Sequence, residues 1–281
     1  MKPVIGMIGL GIMGSAMAEA LLAQGYRVTG YDVRAPACRR LKQAGGQALA
    51  SATAVARSAD VVIVSLATTA ALDGTVEKIA AAKRPKNRPG LIVVETSTLP
   101  LAVKLDVRRR CAHRGITVLD CPISGTGAQA AAKDIAVYAS GARRAFNRCR
   151  AVFEGFARAN YYCGAFGTGS KLKFIANLLV TIHNVSAAEA IVLGEKAGLD
   201  LRLLYRVIRD GAGSSRMFEV RGPLMVAGRY EPAHMKSEIY QKDIDIIRAF
   251  VRRLKCPTPL FDRSIPFYTA ALAQGWAKQD T

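Results

Sequence analysis

The sequence predicts an α/β chain in two parts: a doubly wound parallel sheet over residues 1–164, then an all-helical domain over residues 165–281, joined by one long helix. Three observations predict it. Short apolar runs alternate with helix-spaced stretches through the first part, and a glycine-rich turn lies between the first run and the first helix. From residue 165 onward the strand pattern stops and only helical spacing continues.

Val4 to Ile8 reads as a buried strand that empties into Gly9-Leu10-Gly11-Ile12-Met13-Gly14, and Ser15 to Leu22 follows with helical spacing. Gly25 stands where a helix C-cap is expected. A second strand, Arg27 to Tyr31, ends in Asp32. In this order the parts match a Rossmann-type dinucleotide site. Gly9 permits a tight turn, Gly11 lets backbone amides approach a pyrophosphate, Gly14 lets helix and strand pack closely, and the phosphates rest on the helix N-terminus beside Ile12 and Met13. An acid roughly 20 residues on, here Asp32, holds the adenosine ribose and favours NAD, because it repels a 2′-phosphate. Arg34, two residues later, keeps NADP open.

The chain continues in the same idiom. Ala37 to Ala44 reads as a helix, Asp60 to Leu66 and Gly90 to Glu95 as strands, and their polar ends (Ala67-Thr68-Thr69 and Thr96-Ser97-Thr98) are expected at the cofactor cleft. A helix over Leu101 to His113 and a strand over Ile116 to Asp120 precede the small-residue loop Cys121-Pro122-Ile123-Ser124-Gly125-Thr126-Gly127, which reads equally as an anion-binding nest or a plain turn. A strand over Ile135 to Gly141 and a helix over Ala145 to Phe156 complete the first part. Then Lys171 to Ala197 forms a long helix stopped by Gly198, and Leu201 to Arg209, Met217 to Met225, Ser237 to Leu254 and Ser264 to Trp276 read as further helices.

Composition narrows the function classes. With 281 residues, 51% of them hydrophobic, the chain builds a sizeable core and most naturally two domains. Forty Lys and Arg against twenty-one Asp and Glu give a net charge of +19. The positives are scattered over many elements without interleaved aromatics, which disfavours a nucleic-acid platform and suits the attraction of anionic metabolites. No apolar run approaches the roughly 18 uninterrupted residues of a membrane helix, and the first strand begins too early for a signal peptide to be expected. Six dispersed cysteines suit reduced thiols in the cytoplasm. His113, His183 and His234 lack ligand spacing, so no metal is expected, and Gly211 to Ser215 reads as a helix-linking turn or a substrate approach.

Lys173 and Asn177, four apart on the long helix, share one face. A lysine buried near a helix N-terminus gives up its proton more readily, which suits acid/base work, whereas Lys171 points elsewhere and a solvated lysine is the common case.

From Gly9 to Asp243 the sequence resembles the β-hydroxyacid dehydrogenase family, the relatives of 6-phosphogluconate dehydrogenase. Four motifs carry the resemblance: Gly9 to Gly14; the substrate loop Asp120 to Thr126; Gly167-Thr168-Gly169-Ser170-Lys171-Leu172-Lys173-Phe174-Ile175-Ala176-Asn177; and the pair Lys242-Asp243. The resemblance implies NAD(P)-dependent hydride transfer at C3 of a small 3-hydroxy acid or its semialdehyde. It makes Lys173 the general acid/base and Asn177 its helper. It places Ser124, Gly125, Thr126 and Asp243 at the anionic substrate, and Leu66, Thr98 and Lys242 at the cofactor. It also implies a homodimer or homotetramer. Three positions depart from the family pattern: Thr126 replaces a glycine, Ala176 replaces an asparagine, and the chain stops at Thr281, earlier than is usual. The alternatives are a non-catalytic dinucleotide- or nucleic-acid-binding member of the same fold, against which Lys173 speaks, and an imine reductase.

Overall fold

The computed structural model describes residues 2–85, 89–233 and 235–281; His234 lies outside them. The chain forms two compact units, 1–173 and 174–281.

In the first unit the elements run β1 (Ile5–Ile8), α1 (Ile12–Ala23), β2 (Val28–Tyr31), α2 (Ala35–Gln43), β3 (Gln47–Ala48), α3 (Ala52–Ser58), β4 (Val61–Val64), α4 (Thr69–Ala80), β5 (Ile92–Glu95), α5 (Leu101–Ala112) and β6 (Thr117–Asp120). The strands pair in parallel in the order β3-β2-β1-β4-β5-β6, with Ile5 beside both Val28 and Val61 and Ile92 beside both Val61 and Thr117. That order reverses between β1 and β4, the crevice where doubly wound sheets take their ligands.

Alternation of side chains explains why β1 and β4 carry no polar side chain at any position. Met7 and Ile63 point into one buried cluster with Met17, Leu21 and Phe153, while Ile8, Val62 and Val64 point into a second with Val55, Leu72 and Val107. A parallel sheet covered on both faces has no solvated side on which to place polar residues.

A small sheet follows: β7 (Ile123–Ser124), α6 (Gly127–Ala131), β8 (Ala136–Ala139), α7 (Arg143–Phe156) and β9 (Ala159–Tyr162), with β7 antiparallel and β9 parallel to β8. A bridge between Asp120 and Ser140 joins it to the end of β6.

The helix α8 (Thr168–Lys196) contributes its first turns to the first unit and the rest to the second. By length and composition it is apolar enough to cross a membrane, with a mean hydropathy of 1.4 over 18 residues. Yet Lys173, Asn177, Thr181 and Asn184, spaced along one face, are buried, while Leu172, Ile175 and Leu179 are exposed. The buried face of this helix is therefore its polar one, and much of its apolar face is exposed.

The second unit adds α9 (Leu201–Arg209), α10 (Arg216–Val226), α11 (Ser237–Leu254) and α12 (Pro259–Ala273). Ala187, Ile191, Leu204 and Phe218 form a small core, and Gly194 admits Leu204, whose Cδ1 would stand 2.1 Å from a Cβ there. Asp200 and Ser215 cap α9 and α10 by accepting the amides of Arg202 and Phe218. The helix α12 starts at Pro259 rather than at the expected Ser264, because a proline in the first turn is pre-set for helix and its missing donor is not needed there. Arg221, buried, pairs with Asp280 at 2.5 Å and so ties the chain's end to α10.

Candidate functional site

The glycine-rich turn has the steric form its sequence demands. Gly9 is left-handed at φ +88°, and a Cβ there would meet the Ser65 carbonyl oxygen at 2.1 Å. A Cβ on Gly14 would lie 1.9 Å from the Gly9 oxygen, so helix α1 can pack this close only without one. Gly11 is different: its nearest neighbour would be the Arg34 guanidinium at 3.8 Å, which leaves an open cradle in front of the first amides of α1. No side chain among the described residues caps that helix. Ile12 is exposed there and Met13 packs on the core. The turn therefore fits a pyrophosphate.

Asp32, just past β2, accepts the Leu10 amide on Oδ2 at 2.7 Å and the Arg34 amide on Oδ1 at 2.8 Å. Burial opposes its charge, but the hydrogen bonds from the Arg34 side chain and backbone and from Leu10 win and hold the carboxyl below its usual range. An ionised Asp32 fixes the turn and leaves a negative charge at the end of β2. Leu66 adjoins Gly9, and its amide donates to Ser97 Oγ at 2.9 Å; Thr98, half-buried, follows in the same β5–α5 connection.

The loop after β6 meets this turn. Ile12 abuts Gly127, where a Cβ would stand 2.2 Å from Ile12 Cγ2. Ser124 ends β7, and Gly125 turns at φ +136° against Ile135. Thr126 caps α6 in a reciprocal box: its hydroxyl accepts the Gln129 amide, and its own amide donates to Gln129 Oε1 at 3.0 Å. The amide expected at a substrate carboxylate is thus engaged within the loop.

The first turn of α8 is fastened to the same loop. Ser170 donates its amide to Asp120 Oδ2 at 2.8 Å and its hydroxyl to Oδ1 at 2.7 Å. The Gly167 and Gly169 amides donate to Ser140 Oγ, which itself donates to Asp120. Three backbone amides at the start of this helix are thus satisfied by side chains more than twenty positions away in sequence. Lys173, three residues beyond Ser170, is buried with 9% of its surface exposed.

In the second unit one carboxylate gathers the remaining candidates. Asp243, buried on α11, accepts Asn177 Nδ2 on Oδ2 at 2.8 Å and pairs with Lys242 Nζ through Oδ1 at 2.9 Å. Beneath them the Asn177 carbonyl accepts the hydroxyls of Thr181 and Tyr240 at 2.8 and 3.0 Å, and the Tyr268 hydroxyl donates to the Thr181 carbonyl. Burial, and after it the neighbouring Tyr268, pushes Tyr240 well above the ordinary tyrosine value, so its hydroxyl stays a neutral donor. Asp243, expected at the substrate, here orients Asn177 and Lys242.

Sequence reasoning missed the buried ionic group behind the loop: Lys104 on α5 pairs with Glu95 at 2.7 Å and Asp120 at 2.9 Å. The available signal was positional. Glu95 and Asp120 each end an apolar strand on the sheet's ligand side.

Comparison with known proteins agrees with this geometry. Residues 4–165 match the model of the NAD binding domain of 6-phosphogluconate dehydrogenase, and residues 167–281 that of the NAD-binding region of NADP-dependent 3-hydroxyisobutyrate dehydrogenase. An L-threonate dehydrogenase of Cupriavidus necator is 35% identical, with 98% of this chain and 93% of the relative covered. An NAD-dependent L-serine dehydrogenase of Pseudomonas aeruginosa is 29% identical, with 98% and 94% covered. The crystal structure of a 3-hydroxyisobutyrate dehydrogenase from Salmonella typhimurium superposes with a TM-score of 0.88 at 30% identity, covering 99% of this chain and 97% of that one. With both halves matched in register and the dinucleotide turn intact, the chain belongs to the β-hydroxyacid dehydrogenase family of NAD(P)-dependent oxidoreductases.

Proposed function

We propose that this protein interconverts a small 3-hydroxy acid and its semialdehyde, with Lys173 as the acid/base group. The observation that carries the assignment is the double hydrogen bond from Ser170 to Asp120, which starts the helix bearing Lys173 at the root of the loop bearing Ser124. When bound, the nicotinamide supplies or accepts the hydride. Gly9, Gly11, Ile12, Met13, Gly14, Asp32, Leu66 and Thr98 hold the dinucleotide, and Lys242 serves its nicotinamide side. The charged Asp32 favours NAD over NADP. In oxidation Lys173 Nζ takes the proton of the C3 hydroxyl; in reduction it returns a proton to the carbonyl oxygen. Asn177, held by Asp243, steadies the same oxygen. Ser124 and Gly125 receive the substrate carboxylate, with Thr126 limiting its tail. The exposed Leu172, Ile175 and Leu179 on α8 fit burial against a second copy of the chain, as a homodimer or homotetramer in the cytoplasm.

The test is Lys173→Ala against a panel of 3-hydroxy acids, including L-threonate, L-serine and 3-hydroxyisobutyrate, with NAD and NADP in turn. We expect kcat to fall by roughly 10²- to 10⁴-fold on the substrate the parent protein turns over. Undiminished turnover would remove Lys173 from the chemistry.

A further inference from the structure

Lys104 has no part in the reaction as assigned, yet its burial is nearly complete, at 1% exposure in the first turn of α5. A lysine on a surface-packed helix ordinarily threads its stem outward and keeps its ammonium in water. Here the ammonium is drawn inward, between Glu95 at the end of β5 and Asp120 at the end of β6. Burial alone would strip its proton; the two carboxylates reverse that and hold it above the ordinary lysine value, so it stays charged.

From that ion polar contacts run in two directions, through its ion pair with Glu95 and its hydrogen bond to Asp120. Toward the dinucleotide turn, Glu95 Oε1 accepts the Ser97 amide at 2.8 Å, and Ser97 Oγ accepts the Leu66 amide beside Gly9. Toward the acid/base helix, Asp120 accepts both the amide and the hydroxyl of Ser170. One cation thus sets the spacing of two neighbouring strand ends, and those ends carry the cofactor-side segment and the first turn of α8.

We propose that Lys104 is a positioning residue for proton transfer at Lys173, its ammonium clamping Glu95 to Asp120 so that the first turn of α8 keeps register with the dinucleotide turn. This rests on Lys173 being the acid/base group. Displacement of a reacting group by about 1 Å is enough to cost roughly 10²-fold in rate, so a loosened clamp reads out in turnover long before it reads out in binding.

The experiment compares Lys104→Met with the pair Glu95→Gln and Lys104→Met, using the full chain with the substrate and dinucleotide identified for the parent. The single change leaves two buried carboxylates facing each other and lowers stability. The pair removes that repulsion and keeps the amide acceptor for Ser97. Expected for the pair are a thermal midpoint near that of the parent, a kcat lowered by about 10- to 100-fold, KM values little changed, and a displaced limb in the pH–rate profile. Return of kcat together with the midpoint would overturn the proposal, because the ion would then serve stability alone. So would a parent-like kcat in the single variant, or failure of both variants to fold. Lys173→Ala in the same assay separates the two ideas. If it abolishes turnover while the paired variant is fully active, only the role of Lys104 falls; if it leaves turnover intact, the acid/base assignment falls first.

Discussion

The two units bury their apolar residues differently. In the first, strands β1, β4 and β5 are covered on both faces, and large side chains such as Phe153, Phe156 and Leu72 are fully enclosed. In the second, Ile244, Ile247 and Phe261 are enclosed and the cluster around Leu204 and Phe218 is small, while Leu193, Val207 and Leu260 are 71%, 64% and 68% exposed. A unit that closes its own core owes its stability to itself. The aliphatic side chains that the second leaves in water are the ones a proposed assembly would cover.

The contrast can be broken from either side. Phe153→Ala empties a fully buried site and should cost about 3–5 kcal/mol, read as a lowered denaturant midpoint. A value near zero would show that the first core is looser than its packing implies. Gly14→Ala drives a methyl into the Gly9 carbonyl, so we expect a destabilisation of about 1–3 kcal/mol together with weakened dinucleotide binding, measured by thermal shift and by titration with NAD. Leu193→Ser should change the stability of a lone chain by no more than about 0.5 kcal/mol, while light scattering shows a smaller assembly at the same concentration. An unchanged assembly would mean that another face is used.

The smallest effect concerns thiols. Burial pushes Cys111 up to about 11 and Cys149 up to about 12, and both are enclosed, whereas Cys256 is exposed. Alkylation of the native protein near neutral pH should label Cys256 and leave those two intact until the chain unfolds.

The same contrast decides what was legible in the sequence. Doubly buried strands are continuous apolar runs, so β1, β4 and β5 stood out, and the glycine turn located the dinucleotide end. The helices α3 and α4 did not stand out. Ala52–Ser58 is short and alanine-rich, and Thr69–Ala80 follows a threonine pair that reads as turn chemistry although Thr68 is in fact its cap. The strand β9, Ala159–Tyr162, is nearly all half-buried and lacked an apolar signature. At the site, the shared face of Lys173 and Asn177 was readable because residues four apart make about one helical turn, while the roles proposed for them came from the family resemblance. The Asn177–Asp243 bond spans 66 residues and Lys104–Asp120 depends on two strand ends meeting, so neither leaves a local pattern.

Gly169 sets a limit on how this scaffold can be altered. An added methyl there would fall 2.2 Å from the Tyr138 carbonyl and 3.0 Å from that of Asp120, both backbone atoms that cannot step aside. The starting point of α8 is therefore closed to any side chain at residue 169, and under the proposed assignment a change of accepted acid would be sought at Thr126 instead.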